Sequence, residues 1–378
     1  MRLVAAAILA AILAAAQDDP AQLRKQAATL AAMGKYAEAE PLLARVLDLR
    51  IQEFSPDDPG IRPAIDEMAG LYRAQGRTAE AEKLYLRSMQ ITEKASGAQS
   101  VDLIPDLKLL AGLYAGAARN TDAEKQYLRI ISIRITAKGT DDLDLAKDCA
   151  DLAAFYISTK RYAVAEPNLR RAIDIVSKHL GPEDPSLVPL LDSLATVFIE
   201  QKNYPPAEAP LRHAVSIQEQ ADGPRHVNVA PRLDRLGMLY YTEKRYAEAE
   251  QLYRRSLAIW ESVMGPNGPD LATTLDNLAV ALVSQDKYAE AEQLYRRSLG
   301  LRQTVTTASL NNLAMALEGK GEDVKAERYY KQAVAMGEKL ADSSLLAFTL
   351  HNYAGLLHKM GRDAESKRAE ARAKSLEK

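Results

Sequence analysis

A chain of 378 residues with one cysteine, Cys149, cannot close an internal disulfide, so packing must hold it together. Tryptophan occurs once and phenylalanine four times, which leaves 17 tyrosines as the main aromatic stock. Neither charge sign is in surplus: 49 Lys and Arg face 51 Asp and Glu. Without a global field, composition gives no reason to expect nucleic acid or an anionic membrane as a partner. No apolar run reaches the roughly 20 residues of a membrane span. Gly-rich phosphate loops, paired metal-ligand cysteines and a nucleophile elbow are also missing, so no enzymatic activity, cofactor or metal is expected.

The first sixteen residues differ from the rest. Arg2 gives a positive start, Leu3 to Ala16 is wholly apolar, and Ala14-Ala15-Ala16 offers small residues before Gln17-Asp18-Asp19-Pro20. This is the pattern of a secretory signal peptide cleaved near Ala16; an uncleaved anchor is the alternative. The expectation is an exported, periplasmic or secreted bacterial protein with no membrane insertion once the leader is removed.

What the chain has in abundance is period. Ala39, Ala81, Ala123, Ala165, Ala207, Ala249 and Ala291 recur every 42 residues, and further copies centre on Ala326 and Ser366. In the clearest copy Leu275, Leu278, Ala279 and Leu282 fall at i, i+3, i+4, i+7, and Ala291, Leu294, Tyr295 and Ser298 repeat that spacing after a short polar turn. Each copy therefore reads as an antiparallel helical hairpin. Small residues at Ala69, Ala111, Ala153, Ala195, Gly237, Ala279, Ala314 and Ala354 mark the first helix, facing the alanine ladder on the second. Pro63, Pro105, Pro189 and Pro231 suit helix starts, and Gly181-Pro182-Glu183-Asp184-Pro185 is one of several linkers between hairpins. Glu166/Arg170, Glu208/Arg212, Glu250/Arg254 and Glu292/Arg296 read as i, i+4 surface pairs.

The Leu-Ala…Leu-Tyr step and the Tyr-Ala-Glu-Ala-Glu-x-Leu-Tyr-x-Arg-Ser-Leu segment resemble the tetratricopeptide repeat (TPR), in the 42-residue variety of kinesin light chains. The resemblance implies an all-α, right-handed superhelical solenoid of about nine helix-turn-helix repeats over residues 17–378. It also implies a non-catalytic scaffold that binds a peptide or protein in its concave groove. A structural or assembly subunit using the convex surface or ends is the rival; a sensing or enzymatic role has no support in the sequence.

Specificity must lie where copies differ. The first repeat is weak, with Gln26 in an apolar place, and the helix from Arg362 is highly charged; both fit terminal caps. After Ala291 the step falls to 35 and the Gly-Pro linker is lost, which predicts altered packing there. Pro205, Pro206 and Pro210 predict an irregular second helix in the fifth repeat, with Pro210 the disturbing residue. Cys149 falls on a buried face and reads as an inert core thiol.

By resemblance, the two residues before the central Leu-Ala step of each first helix point into the groove. They include Asp192, Asp234, Asp276-Asn277, Asn311-Asn312 and His351-Asn352. The asparagines are suited to gripping a peptide main chain, because an amide both donates and accepts; they can equally bond neighbouring helices. Asp192, Asp234 and Asp276 form an acidic ladder that favours a basic or polar segment. Trp260 stands where other copies carry Thr92, Arg134, Val176, Gln218 and Arg302, so it is either a partner contact or a cover for its own repeat.

Overall fold

The computed structural model describes residues 19–268, 271–301, 306–340 and 343–377, so the leader-like segment 1–16 lies outside the described residues. These residues form eighteen α-helices and no strand, in nine antiparallel hairpins. Two compact units divide the chain between Leu180 and Gly181, at a regular Gly-Pro linker.

The first unit holds four hairpins: α1 (Pro20–Ala32) with α2 (Tyr36–Glu53), α3 (Arg62–Ala74) with α4 (Thr78–Ser96), α5 (Ile104–Gly116) with α6 (Asn120–Lys138), and α7 (Leu143–Ser158) with α8 (Tyr162–Leu180). The second holds five. They are α9 (Leu187–Glu200) with α10 (Glu208–Asp222), α11 (Val229–Thr242) with α12 (Tyr246–Met264), α13 (Leu271–Val283) with α14 (Tyr288–Leu301), α15 (Thr307–Gly319) with α16 (Asp323–Leu340), and α17 (Ser343–Lys359) with α18 (Asp363–Leu376).

Each hairpin turns on one residue of positive φ, a glycine at Gly34, Gly76, Gly321 and Gly361 but Ala118, Lys160, Lys202, Lys244 and Asp286 elsewhere. The next amide then returns to a carbonyl five residues back, as in Arg119 to Tyr114 and Arg245 to Tyr240, both at 2.8 Å. This closure satisfies helix-end carbonyls that would otherwise be orphaned.

Eight ladder alanines, from Ala39 to Ala326, are fully buried. The ninth rung shows what they face: the Ser366 hydroxyl donates to the Ala354 carbonyl at 2.8 Å, joining the two predicted small positions. At Gly237 the fit is close, for a Cβ there would lie 2.8 Å from the Tyr253 ring. Cys149 is fully buried, and desolvation pushes its thiol up.

Pro63, Pro105, Pro189 and Pro231 all lie within the first three residues of their helices. The fifth repeat is irregular as expected, but the cause is corrected. Pro205–Ala207 winds as a 3₁₀ turn and the α-helix starts at Glu208, so Pro210 falls in its first turn, where no amide partner is lost. Pro41 and Pro167, unremarked in the sequence, stand inside α2 and α8.

A second periodic device was only half visible. The i, i+4 pairs form, as in Arg170–Glu166 at 2.9 Å, yet the same glutamate position also reaches forward one repeat. Glu40, Glu82, Glu124 and Glu208 each accept a tyrosine hydroxyl from 32 residues on and an arginine from 37 residues on. In every case the guanidinium also lies over that tyrosine ring, at 3.9–4.7 Å from its centroid. Burial and then the carboxylate push Tyr114 and Tyr156 up to about 12. The clue was two fixed intervals rather than any residue type.

Candidate functional site

The first helices of adjacent repeats meet at the residue pairs expected to line the groove. Arg24 binds Glu67 at 2.8 Å, Lys108 binds Asp151 at 2.7 Å, and Arg235 approaches Asp192 at 3.4 Å. Asn352 donates to Asn311 at 3.1 Å. These contacts follow from the architecture: residues 41 or 43 apart stand side by side on neighbouring first helices. The expected residues thus share a face within each unit, but many spend their polar groups on one another.

The acidic ladder is the clearest revision. Asp192 is 8% exposed, and Arg232 binds its carboxylate at 2.8 Å. Arg235 adds bonds to the Asp192 carbonyl (2.7 Å) and to the Thr196 hydroxyl. Asp234 accepts from Thr274 at 2.8 Å, and burial raises its carboxyl above the usual range. Asp276, the third, is half-buried on α13. A row of free carboxylates awaiting a basic peptide is therefore not what this face presents.

Asn311 and His351 also depart from expectation. Asn311 is fully buried; its amide donates to Asn312 (3.3 Å) and the Met315 sulfur (3.4 Å), so it orients its neighbours instead of facing outward. His351 is held by two glutamates, Glu370 of α18 at 2.8 Å and Glu377, which caps the end of α18, at 2.9 Å. These carboxylates hold its imidazole above its ordinary pKa. Trp260 is half-buried, with its indole N–H enclosed beside Asp234, whose carboxyl it helps draw downward against burial. That geometry ties Trp260 to its own repeat.

What remains open is a strip in the second unit. Asn277, Asn312 and Asn352 are all half-buried. The Asn277 side chain has no hydrogen bond among the described residues, Asn312 keeps its amide donors, and Asn352 keeps its carbonyl oxygen. Three residues after Arg235, Asn277 and Asn312 on their helices run Met238 (50% exposed), Val280 and Met315, while Gly355 holds that place after Asn352. Sequence reasoning missed this apolar row; the signal was that the residue after each central small position is Gly70, Gly112 and Ala154 in the first unit. Among the described residues, no three His, Cys, Asp or Glu side chains gather as a metal site. No described helix is long and apolar enough to cross a membrane.

Comparison with known proteins agrees with this architecture. Models of the tetratricopeptide repeat match residues 61–136, 147–220 and 228–304, and a second such model matches 27–60 and 306–343. No curated protein matches the sequence. Among solved structures, the apo form of RapI superposes with a TM-score of 0.64 at 14% identity, over 95% of this chain and 97% of that one. BtubC (BKLC) from P. vanneervenii gives 0.50 at 22% identity, over 60% of this chain and 90% of that one. A putative kinesin light chain from Podosopora anserina, with nearly identical TPR-like repeats, gives 0.47 at 21%, over 53% and 98%. At such identities the likeness of the first two speaks for fold alone. With repeat models covering well over half its length, the chain belongs to the tetratricopeptide repeat family.

Proposed function

We propose that the first-helix face of the second unit binds an extended, largely uncharged polypeptide segment. A repeat array of this family is a protein-interaction scaffold; the finer reading rests on which groups are left over. Arginines and aspartates on this face neutralise one another, whereas the amides of Asn277, Asn312 and Asn352 retain unused valence. That contrast carries the proposal. An amide can bond a main-chain N–H and C=O at once, and the adjacent Met238, Val280 and Met315 supply adaptable apolar contact. Helices packed roughly 10 Å apart, set against a strand rise of about 3.3 Å per residue, would offer one amide to about every third ligand residue.

The leader-like residues 1–16 support an exported setting for this scaffold, and fractionation of the native host tests it. The binding reading is tested by displaying random dodecapeptides to residues 17–378 and sorting the selected sequences by charge. Uncharged segments should dominate, and the triple Asn277/Asn312/Asn352→Ala variant should bind them at least about tenfold more weakly. Selection of strongly basic or acidic segments, bound equally by the triple variant, would overturn it.

A further inference from the structure

We propose that His351, Glu370 and Glu377 form a pH-operated latch that pins the last turn of α18 to the end of the array. Each ring nitrogen of His351 lies within hydrogen-bond distance of a different carboxylate, Nδ1 with Glu370 at 2.8 Å and Nε2 with Glu377 at 2.9 Å. A neutral imidazole has only one N–H, so it would turn a lone pair towards one of these anions; only the imidazolium can donate to both. The geometry therefore calls for the charged ring.

The surroundings make this charge matter. Glu370 keeps a second partner, Lys374, at 3.3 Å, so Glu377 is the carboxylate that depends most on the ring. From α16, Glu338 is tied to Arg372 at 2.6 Å; α15 presents the uncharged Asn311 to the neighbouring Asn352. On α17 itself, Lys359 and His358 are engaged elsewhere, with Asp323 and Asp363. Beneath the latch lies a small apolar cluster of Leu346, Ala347, Leu350 and Ala373, with Leu376 packed against it. Ala373 is the one fully buried residue of α18, so little apolar packing backs up the ionic contact.

The direction with pH follows. The two carboxylates raise the His351 pKa above its ordinary 6.5, so its contribution is complete below that value and is lost as pH rises through the folded-state pKa. His351 and Lys374 lower the Glu370 pKa below 4.5, so that part is lost only in strong acid. The latch holds in mildly acidic solution and releases towards alkaline pH, uncovering Leu346, Leu350 and the His351 end of the face.

Amide hydrogen exchange on the full chain tests this, reading residues 373–376 against α5 in the same sample and correcting for intrinsic rates. Protection should fall about threefold to tenfold between roughly pH 6 and roughly pH 9. His351→Arg keeps a permanent cation with two donors and should hold protection high and flat across that range. His351→Gln should hold it low and flat. A wild-type profile that does not move with pH, or an Arg variant that falls as the wild type does, would overturn the latch.

Discussion

The two units use the same first-helix positions for opposite ends. In the first, those positions close into ion pairs: Arg24–Glu67 and Lys108–Asp151 at the rim, with Arg62–Asp106 and Arg134–Asp148 behind them. Asp106 and Asp148 are 1% and 2% exposed, and Asp106 takes two further hydroxyl bonds, from Ser88 and Thr92. The neighbouring surface positions are Gly70, Gly112 and Ala154, which offer a ligand little to hold. In the second unit Asp192 and its two arginines close ionically, and amides, thioethers and a valine follow before His351 and its glutamates. A buried charge pair fixes geometry but exhausts its partners, whereas an amide pair leaves valence over. On the proposed reading, stiffening and recognition are separated along one repeating scaffold.

Removing a cation should break the comparison most visibly. Arg134→Met leaves Asp148 buried with only Lys108, at 3.0 Å, and should cost the first unit about 3 kcal/mol in denaturant unfolding. Arg235→Met in the second unit should cost only about 1 kcal/mol, because Arg232 still holds Asp192. Equal losses would erase the distinction drawn between the faces.

Glycines give a smaller contrast. Gly237→Ala drives a methyl into the Tyr253 ring and should destabilise by about 1–3 kcal/mol. Gly112→Ala, whose new methyl would meet only the Arg73 guanidinium at 3.9 Å, should stabilise the first unit by about 0.5–1 kcal/mol. Thermal melts of the two variants should shift in opposite directions; shifts of the same sign would show that the two helix contacts do not differ as described.

The sequence carried the fold almost entirely, because a 42-residue period repeats every packing decision and chance cannot imitate it. Ala165 and Ala207 are buried where the ladder placed them, and Pro63 starts its helix. The face was legible in position but not in state. Asp192, Asn311 and His351 occupy the expected places, yet their partners lie about one repeat or one hairpin away, and single-repeat patterning says nothing of such partners. Asp234 shows the same limit: its neighbour Thr274 is 40 residues on, and its burial depends on how two hairpins stack. The Glu82–Tyr114–Arg119 clamp escaped notice because its members belong to different copies.

The smallest effect tests the comparison most finely, through salt. A peptide held by carboxylates or arginines would lose affinity as ions screen them, since the Debye length shrinks from about 10 Å at 0.1 M to about 3 Å at 1 M. In the second unit those charges are already matched within the face, Asp192 by Arg232 and Arg235. A segment bound by Asn277, Asn312 and Asn352 should therefore change its Kd by less than about twofold over that range. Lys108→Ala, on the first unit, should leave that Kd where it was while freeing Asp151. A steep salt dependence, or weaker binding in the Lys108 variant, would mean that the ion-paired face takes part in recognition after all.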